Sequence, residues 1–142
     1  MEKNGLETEQ RIVGFVDILG FKGMIEKYDK GENPEILQHL VDAMNAAMNY
    51  LKSNSLLNKN TEAPFFVFKE CLEAKVFSDN LCLSAPLEYK SFKFFDQLNF
   101  FYKYISKYQE FLFQLGIFTR GGVEIGSYYS DENIIFSGGL VD

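Results

Sequence analysis

The residues of this sequence best placed to do chemistry are two aspartates, Asp17 and Asp79, and the chemistry would be that of a divalent cation. Asp17 closes an apolar run, Arg11 to Ile18, whose alternation reads as a β-strand. The alternation sets Ile12, Val16 and Ile18 on one face and Val13, Phe15 and Asp17 on the other. A carboxylate among Val and Phe is a local conflict of the kind that marks function, although an Asp there also serves simply to end a strand and cap the next element. Asp79 sits in Ser78-Asp79-Asn80, a tight-turn composition between two strand-like runs. If those strands are neighbours of the first, the two carboxylates converge at one end of a sheet. Hard oxygen ligands beside a phosphate suit Mg²⁺, and two such ions stabilise the attacking and leaving oxygens of an in-line displacement. Gly20 lets backbone amides at the start of the next helix approach a phosphate. Taken alone, two aspartates at turns also serve as caps.

Other chemistries have less support. The sequence holds one histidine, His39, on an apolar-rich helix. That argues against a Ser-His-Asp or Cys-His site and rules out a Cys/His zinc site by count; His39 reads as a structural or surface residue. Cys71 and Cys82 fall in strand-like segments and read as small core residues in a reducing compartment rather than as a bridge. A net charge of −6 argues against broad nucleic-acid binding. No apolar run is long enough to span a bilayer, and Met1 to Gln10 lacks the apolar centre of a signal peptide. The expectation is a soluble, cytoplasmic protein.

The elements that must position these residues emerge from periodicity. The chain of 142 residues is the length of one domain, large enough to fold without a disulfide or metal. Its 15 Phe and 8 Tyr, with no Trp, imply a bulky core, an apolar interface or both. Residues 1–10 read as a flexible leader and 11–142 as the domain. After the first strand, Leu19 to Tyr28 reads as a turn and short helix. A second helix starts with Asn33 as N-cap and Pro34 at its first position, and buries Leu37, Leu40, Val41, Met44, Met48 and Leu51. Ser53 to Glu62 reads as a polar loop. Phe65 to Phe77 reads as a long strand, paired as a hairpin with Leu81 to Ala85. Ser91 to Leu115 reads as a long helix with a stripe of Phe94, Leu98, Phe101, Ile105, Tyr108, Leu112 and Leu115, ended by Gly116 in the left-handed region. Its surplus aromatics Phe92, Phe100, Tyr104 and Phe111 imply either partner contact or a thicker core. Ile117 to Ser127 reads as a strand interrupted at Gly121-Gly122, and Asn133 to Ser137 as a short last strand. This order predicts an α+β, ferredoxin-like antiparallel sheet with helices on one face and a second subunit on the other.

These segments together resemble a known family. Phe15-Val16-Asp17-Ile18-Leu19-Gly20-Phe21 is similar to the first-strand motif of the class III adenylyl and guanylyl cyclases, where an Asp is followed by Ile-x-Gly-Phe. Phe77-Ser78-Asp79-Asn80 is similar to their hairpin motif, where a small residue precedes the second metal-binding Asp. Arg120-Gly121-Gly122-Val123-Glu124-Ile125-Gly126 is similar to their fourth strand, and Ile135-Phe136-Ser137-Gly138 to the short segment after it. Four motifs in family order are far more specific than any one. The details DILGFK, FSDN and TRGG are similar to the bacterial pyrimidine nucleotide cyclases of the Pycsar anti-phage systems, which make cyclic UMP or cyclic CMP.

The resemblance implies a nucleotidyl cyclase that converts a nucleoside triphosphate, UTP or CTP by preference, to a 3′,5′-cyclic nucleotide and pyrophosphate as a homodimer. It implies Asp17, Asp79 and the carbonyl of Ile18 as ligands of two Mg²⁺ or Mn²⁺ ions, and amides of Leu19, Gly20 and Phe21 on the phosphates. It implies Lys75 as the residue that reads the base, against the alternative of a solvated lysine paired with Glu73. Arg120 would orient phosphate or brace the interface. The family pattern continues past its last glycine into a helix carrying a transition-state Arg, whereas this chain ends at Gly138-Gly139-Leu140-Val141-Asp142. By that comparison the domain is C-terminally truncated, and the 142 residues bind a triphosphate weakly and turn it over poorly or not at all. The alternative function is a catalytically inactive cyclase-like module that binds a nucleotide or a regulatory partner.

Overall fold

The computed structural model describes residues 9–52, 59–130 and 135–137. The first apolar run forms β1 (Glu9–Ile18). It starts two residues inside the segment read as a leader, a difference of the size usual at element ends. Ile12, Val16 and Ile18 are buried in the core. A side chain at Gly14 would point into Phe101 and Ile105. The even-numbered residues of β1 therefore face the helices, and Arg11, Val13, Phe15 and Asp17 face the other way. That is the division the alternation predicts.

Two helices come next, α1 (Phe21–Asp29) and α2 (Ile36–Lys52). Pro34 and Glu35 form a turn ahead of α2, with the Ile36 amide donating to the Asn33 carbonyl, so the helix starts later than the N-cap reading placed it. Its buried stripe is Leu40, Ala43, Met44, Ala47 and Leu51, while Val41 is exposed. The small alanines let α2 lie close to its neighbours.

The largest departure from the sequence reading is α3 (Lys59–Cys71). Residues 65–71 are helical, not the first half of a strand, and 59–62 are helical rather than loop; 53–58 lie outside the described residues. Phe-Phe-Val-Phe has strand composition, but Phe65 and Phe68, one helical turn apart, are both fully buried. Their rings stack at 6.1 Å and meet Phe100 of the long helix α4 (Phe94–Gln114) at 6.3 and 5.5 Å. Tertiary packing overrides local propensity here. The surplus aromatics accordingly build core: Phe92 meets Phe100 at 5.1 Å, Tyr104 meets Phe65 at 6.5 Å, and Phe111 meets Tyr50 at 5.4 Å. Phe101, Ile105, Tyr108 and Leu112 form the buried stripe of α4, Leu115 lies exposed beyond its end, and Gly116 comes next at φ 83.

The strand hairpin is β2 (Glu73–Phe77) and β3 (Asn80–Pro86), joined by Ser78-Asp79 alone. β4 (Thr119–Ser130) runs without a break through Gly121-Gly122, where an interruption was expected, and β5 (Ile135–Ser137) completes the sheet. The strand order is β2-β3-β1-β4-β5, every neighbouring pair antiparallel. The first four strands have the ferredoxin-like order. Leu81, Leu83 and Ala85 join Ile12, Val16 and the buried residues of α2, α3 and α4 in one core. Among the described residues no helix is long and apolar enough to cross a membrane.

Candidate active site

Strand register decides which side chains meet on the face away from the helices. Asp17 pairs with Asn80 of β3 and with Arg120 of β4, and Asn80 pairs with Phe77 of β2. Directly paired residues share a sheet face, so Phe77, Asn80, Asp17 and Arg120 form one row across four strands. Asp79 precedes Asn80 in the two-residue turn, where Ser78 takes φ 57 to reverse the chain. The two aspartates thus belong to the same end of the sheet, as the sequence motifs imply. Asp79 Oδ1 accepts from Asn80 Nδ2 at 3.4 Å.

The next row inward holds Lys75, Cys82, Phe15 and Gly122. Lys75 is half-buried and makes contacts of its own. Burial pushes the Cys82 and Cys71 thiols above their ordinary range, which disfavours the reactive thiolate at both. Both are free thiols, and Cys71 ends α3 rather than lying in a strand.

Past Asp17 the chain turns into α1. Gly20 stands at the helix N-cap with φ 77, a left-handed conformation open to glycine at no steric cost. Intrahelical bonding begins with the Met24 amide on the Gly20 carbonyl. The preceding N–H groups lie at the positive end of the helix, and the first turn carries no acidic residue that would oppose an anion. Leu19 differs from its two neighbours in this respect. Its amide donates to the Phe118 carbonyl at 2.9 Å, so only Gly20 and Phe21 of the three expected amides belong to the open first turn.

The feature that sequence motifs did not disclose is the partner of Asp17. Arg120 Nε donates to Asp17 Oδ1 at 3.3 Å, with the Asp17 side chain 23% exposed and that of Arg120 73%. Gly121 makes this approach possible. A Cβ there would lie 2.2 Å from the Phe15 carbonyl oxygen, so any side chain would push β4 off β1 next to Asp17. The pairing of Arg120 with Asp17 depends on β1–β4 register, which no local pattern specifies.

Asp17, Asp79 and the Ile18 carbonyl would together offer hard oxygen donors, of the kind that suits Mg²⁺ or Mn²⁺. Among the described residues no group of three or more His, Cys, Asp or Glu side chains is placed to hold a metal. A two-carboxylate site fits a magnesium ion that keeps water or substrate phosphate as its remaining ligands.

Solved structures that share this fold include two cyclases. One is a bacterial light-regulated adenylyl cyclase, with TM-score 0.54 and 14% identity, matching 93% of this chain and 63% of that one. The other is a guanylyl cyclase, with TM-score 0.51 and 13% identity, matching 94% of this chain and 64% of that one. The chain therefore shares the fold of these two structures and spans somewhat under two thirds of each. At these identities the likeness is one of fold. No protein-family model and no curated protein matches the chain.

Proposed function

We propose that the chain is a nucleotidyl cyclase domain that converts a nucleoside triphosphate to a 3′,5′-cyclic nucleotide and pyrophosphate. The observation that carries this reading is the register placing Asp17 opposite Asn80, and so beside the Asp79 turn, at the open start of α1. The fold shared with solved adenylyl and guanylyl cyclases supports it. Asp17, Asp79 and the Ile18 carbonyl would hold two Mg²⁺ or Mn²⁺ ions. When bound, such ions activate the ribose hydroxyl and stabilise charge at the phosphate under attack. Gly20 and Phe21 amides would meet the outer phosphates.

In a homodimer, Asp17 and Asp79 of one protomer would face Lys75 of the partner subunit, which would donate to the base. The likeness of DILGFK, FSDN and TRGG to the Pycsar enzymes favours UTP or CTP and a role in anti-phage signalling, in the cytoplasm. The test is cyclic nucleotide formation from UTP, CTP, ATP and GTP with Mg²⁺ or Mn²⁺. The expected product is cyclic UMP or cyclic CMP, formed slowly by these 142 residues, and reduced at least about a hundredfold further in Asp17→Asn and Asp79→Asn, the scale of losing one group that stabilises the transition state. Cyclisation that persists in both variants would sink the assignment. Triphosphate binding without product would favour a second reading, a non-catalytic nucleotide-binding or regulatory module. The ion pair that gives Asp17 a protein cation favours that second reading.

A further inference from the structure

The same ion pair bears on how the proposed metal site is regulated. The Asp17 side chain is largely buried, and its one hydrogen bond among the described residues comes from Arg120. Asp79, the other proposed carboxylate ligand, has no ion pair among the described residues and accepts instead from the neutral Asn80. The two aspartates are therefore unlike: one already has a counter-charge from the protein.

We infer that Arg120 is an internal counter-cation on Asp17, and that a divalent ion binds there by displacing it. This rests on the metal-site reading above. A guanidinium and a divalent cation compete for the same carboxylate lone pairs, because an Asp offers each only its two oxygens. Displacement is feasible for three reasons that are all on β4. The Arg120 side chain is mostly exposed, so releasing it leaves no buried unpaired charge. The contact is a single Nε–H bond at 3.3 Å rather than a paired fork. And the Gly121-Gly122 backbone fixes the strand, not the side chain, so Arg120 swings away without disturbing the β1–β4 ladder. In the metal-free protein Arg120 keeps the Asp17 charge neutralised. Metal binding converts it into a released cation at the mouth of the site.

The test is Mn²⁺ binding to the full chain without nucleotide, read by electron paramagnetic resonance of the free ion. Arg120→Gln is expected to tighten Mn²⁺ binding roughly two- to fivefold, the span that exposed ion pairs cover. Lys22→Gln is the control: it removes the same charge from the first turn of α1, and Lys22 makes no ion pair with Asp17 among the described residues. It should change Mn²⁺ affinity less than Arg120→Gln does. Raised salt separates the two causes further, because a longer-range through-space effect is screened more strongly than a direct contact. Equal Mn²⁺ affinity in the wild type and Arg120→Gln, with binding still lost in Asp17→Asn, would overturn the displacement and leave the metal site standing. Equal tightening by Arg120→Gln and Lys22→Gln would also overturn it, reducing Arg120 to general surface charge. Mn²⁺ binding unaffected by Asp17→Asn would overturn the metal site itself, and the displacement with it.

Discussion

Single residues decide the geometry at the end of β1. The Gly121-Gly122 pair looks redundant in sequence, yet the two positions carry different constraints. A Cβ at Gly121 meets the Phe15 carbonyl oxygen at 2.2 Å, whereas one at Gly122 meets only the Phe15 ring, at 3.2 Å. Backbone cannot yield as a side chain can. Gly121→Ala should therefore destabilise by about 1–3 kcal/mol, the range of overpacking, and lower Tm by several degrees. Gly122→Ala should cost clearly less. Thermal melts of the two variants check this, and equal losses would contradict the backbone argument. Asp17 and Asp79 were legible in the sequence because each breaks its local pattern, one by interrupting an apolar face and the other by sitting in a turn. Arg120 was legible as a candidate but not as the partner of Asp17. Its partner lies 103 residues away in the chain and is chosen by register alone.

At the scale of elements, helix faces were easier to read than helix identity. The stripe of α4 has a clean helical period, so Phe101, Ile105, Tyr108 and Leu112 were identifiable before the fold. α3 was not, because Phe65, Phe66, Val67 and Phe68 have strand composition, and only the aromatic layer on α4 makes a helix of them. The same layer buries two tyrosines. Burial pushes the Tyr104 hydroxyl up to about 12, with the nearby Tyr108 adding to the shift, and burial alone pushes Tyr108 up to about 12.

Both groups are neutral when protonated, and an unfolded tyrosine ionises near about 10. The folded state thus holds its protons at a pH where the unfolded state releases them. The stability these two residues contribute is full below about pH 10 and falls as pH rises through about 12. Thermal melts across that window should show a steep alkaline loss of Tm, and the double variant Tyr104→Phe, Tyr108→Phe should show a shallower one. An unchanged slope would mean that the buried hydroxyls do not govern alkaline unfolding.

The whole molecule presents a sheet covered by helices on one face and divided into two ends on the other. At the end away from the aspartates, Arg11 lies buried over Ser84, donating to its hydroxyl at 3.1 Å and to Glu9 at 3.0 Å, with Glu73 at 3.8 Å. At the aspartate end Phe77 is 76% exposed beside Asn80, Asp17 and Arg120. The residues around Asp17 and Lys75 on this face are the ones that the proposed ligand and second copy would use. The ferredoxin-like order was legible because the alternation of strands and helices admits few topologies, while the roof made by Arg11 was not, since a basic residue at a strand start ordinarily reads as solvated.

The central claim is that a divalent ion binds at the end carrying Asp17 and Asp79, and paramagnetic broadening by Mn²⁺ in the amide spectrum of the labelled protein tests it most directly. The account predicts that Ile18 to Phe21 and Ser78 to Asn80 lose signal first, that Cys71, Tyr89 and Lys90 at the other end keep theirs, and that Asp17→Asn abolishes the pattern. Broadening centred on Glu70 or Glu73, or a pattern that survives Asp17→Asn, would contradict it.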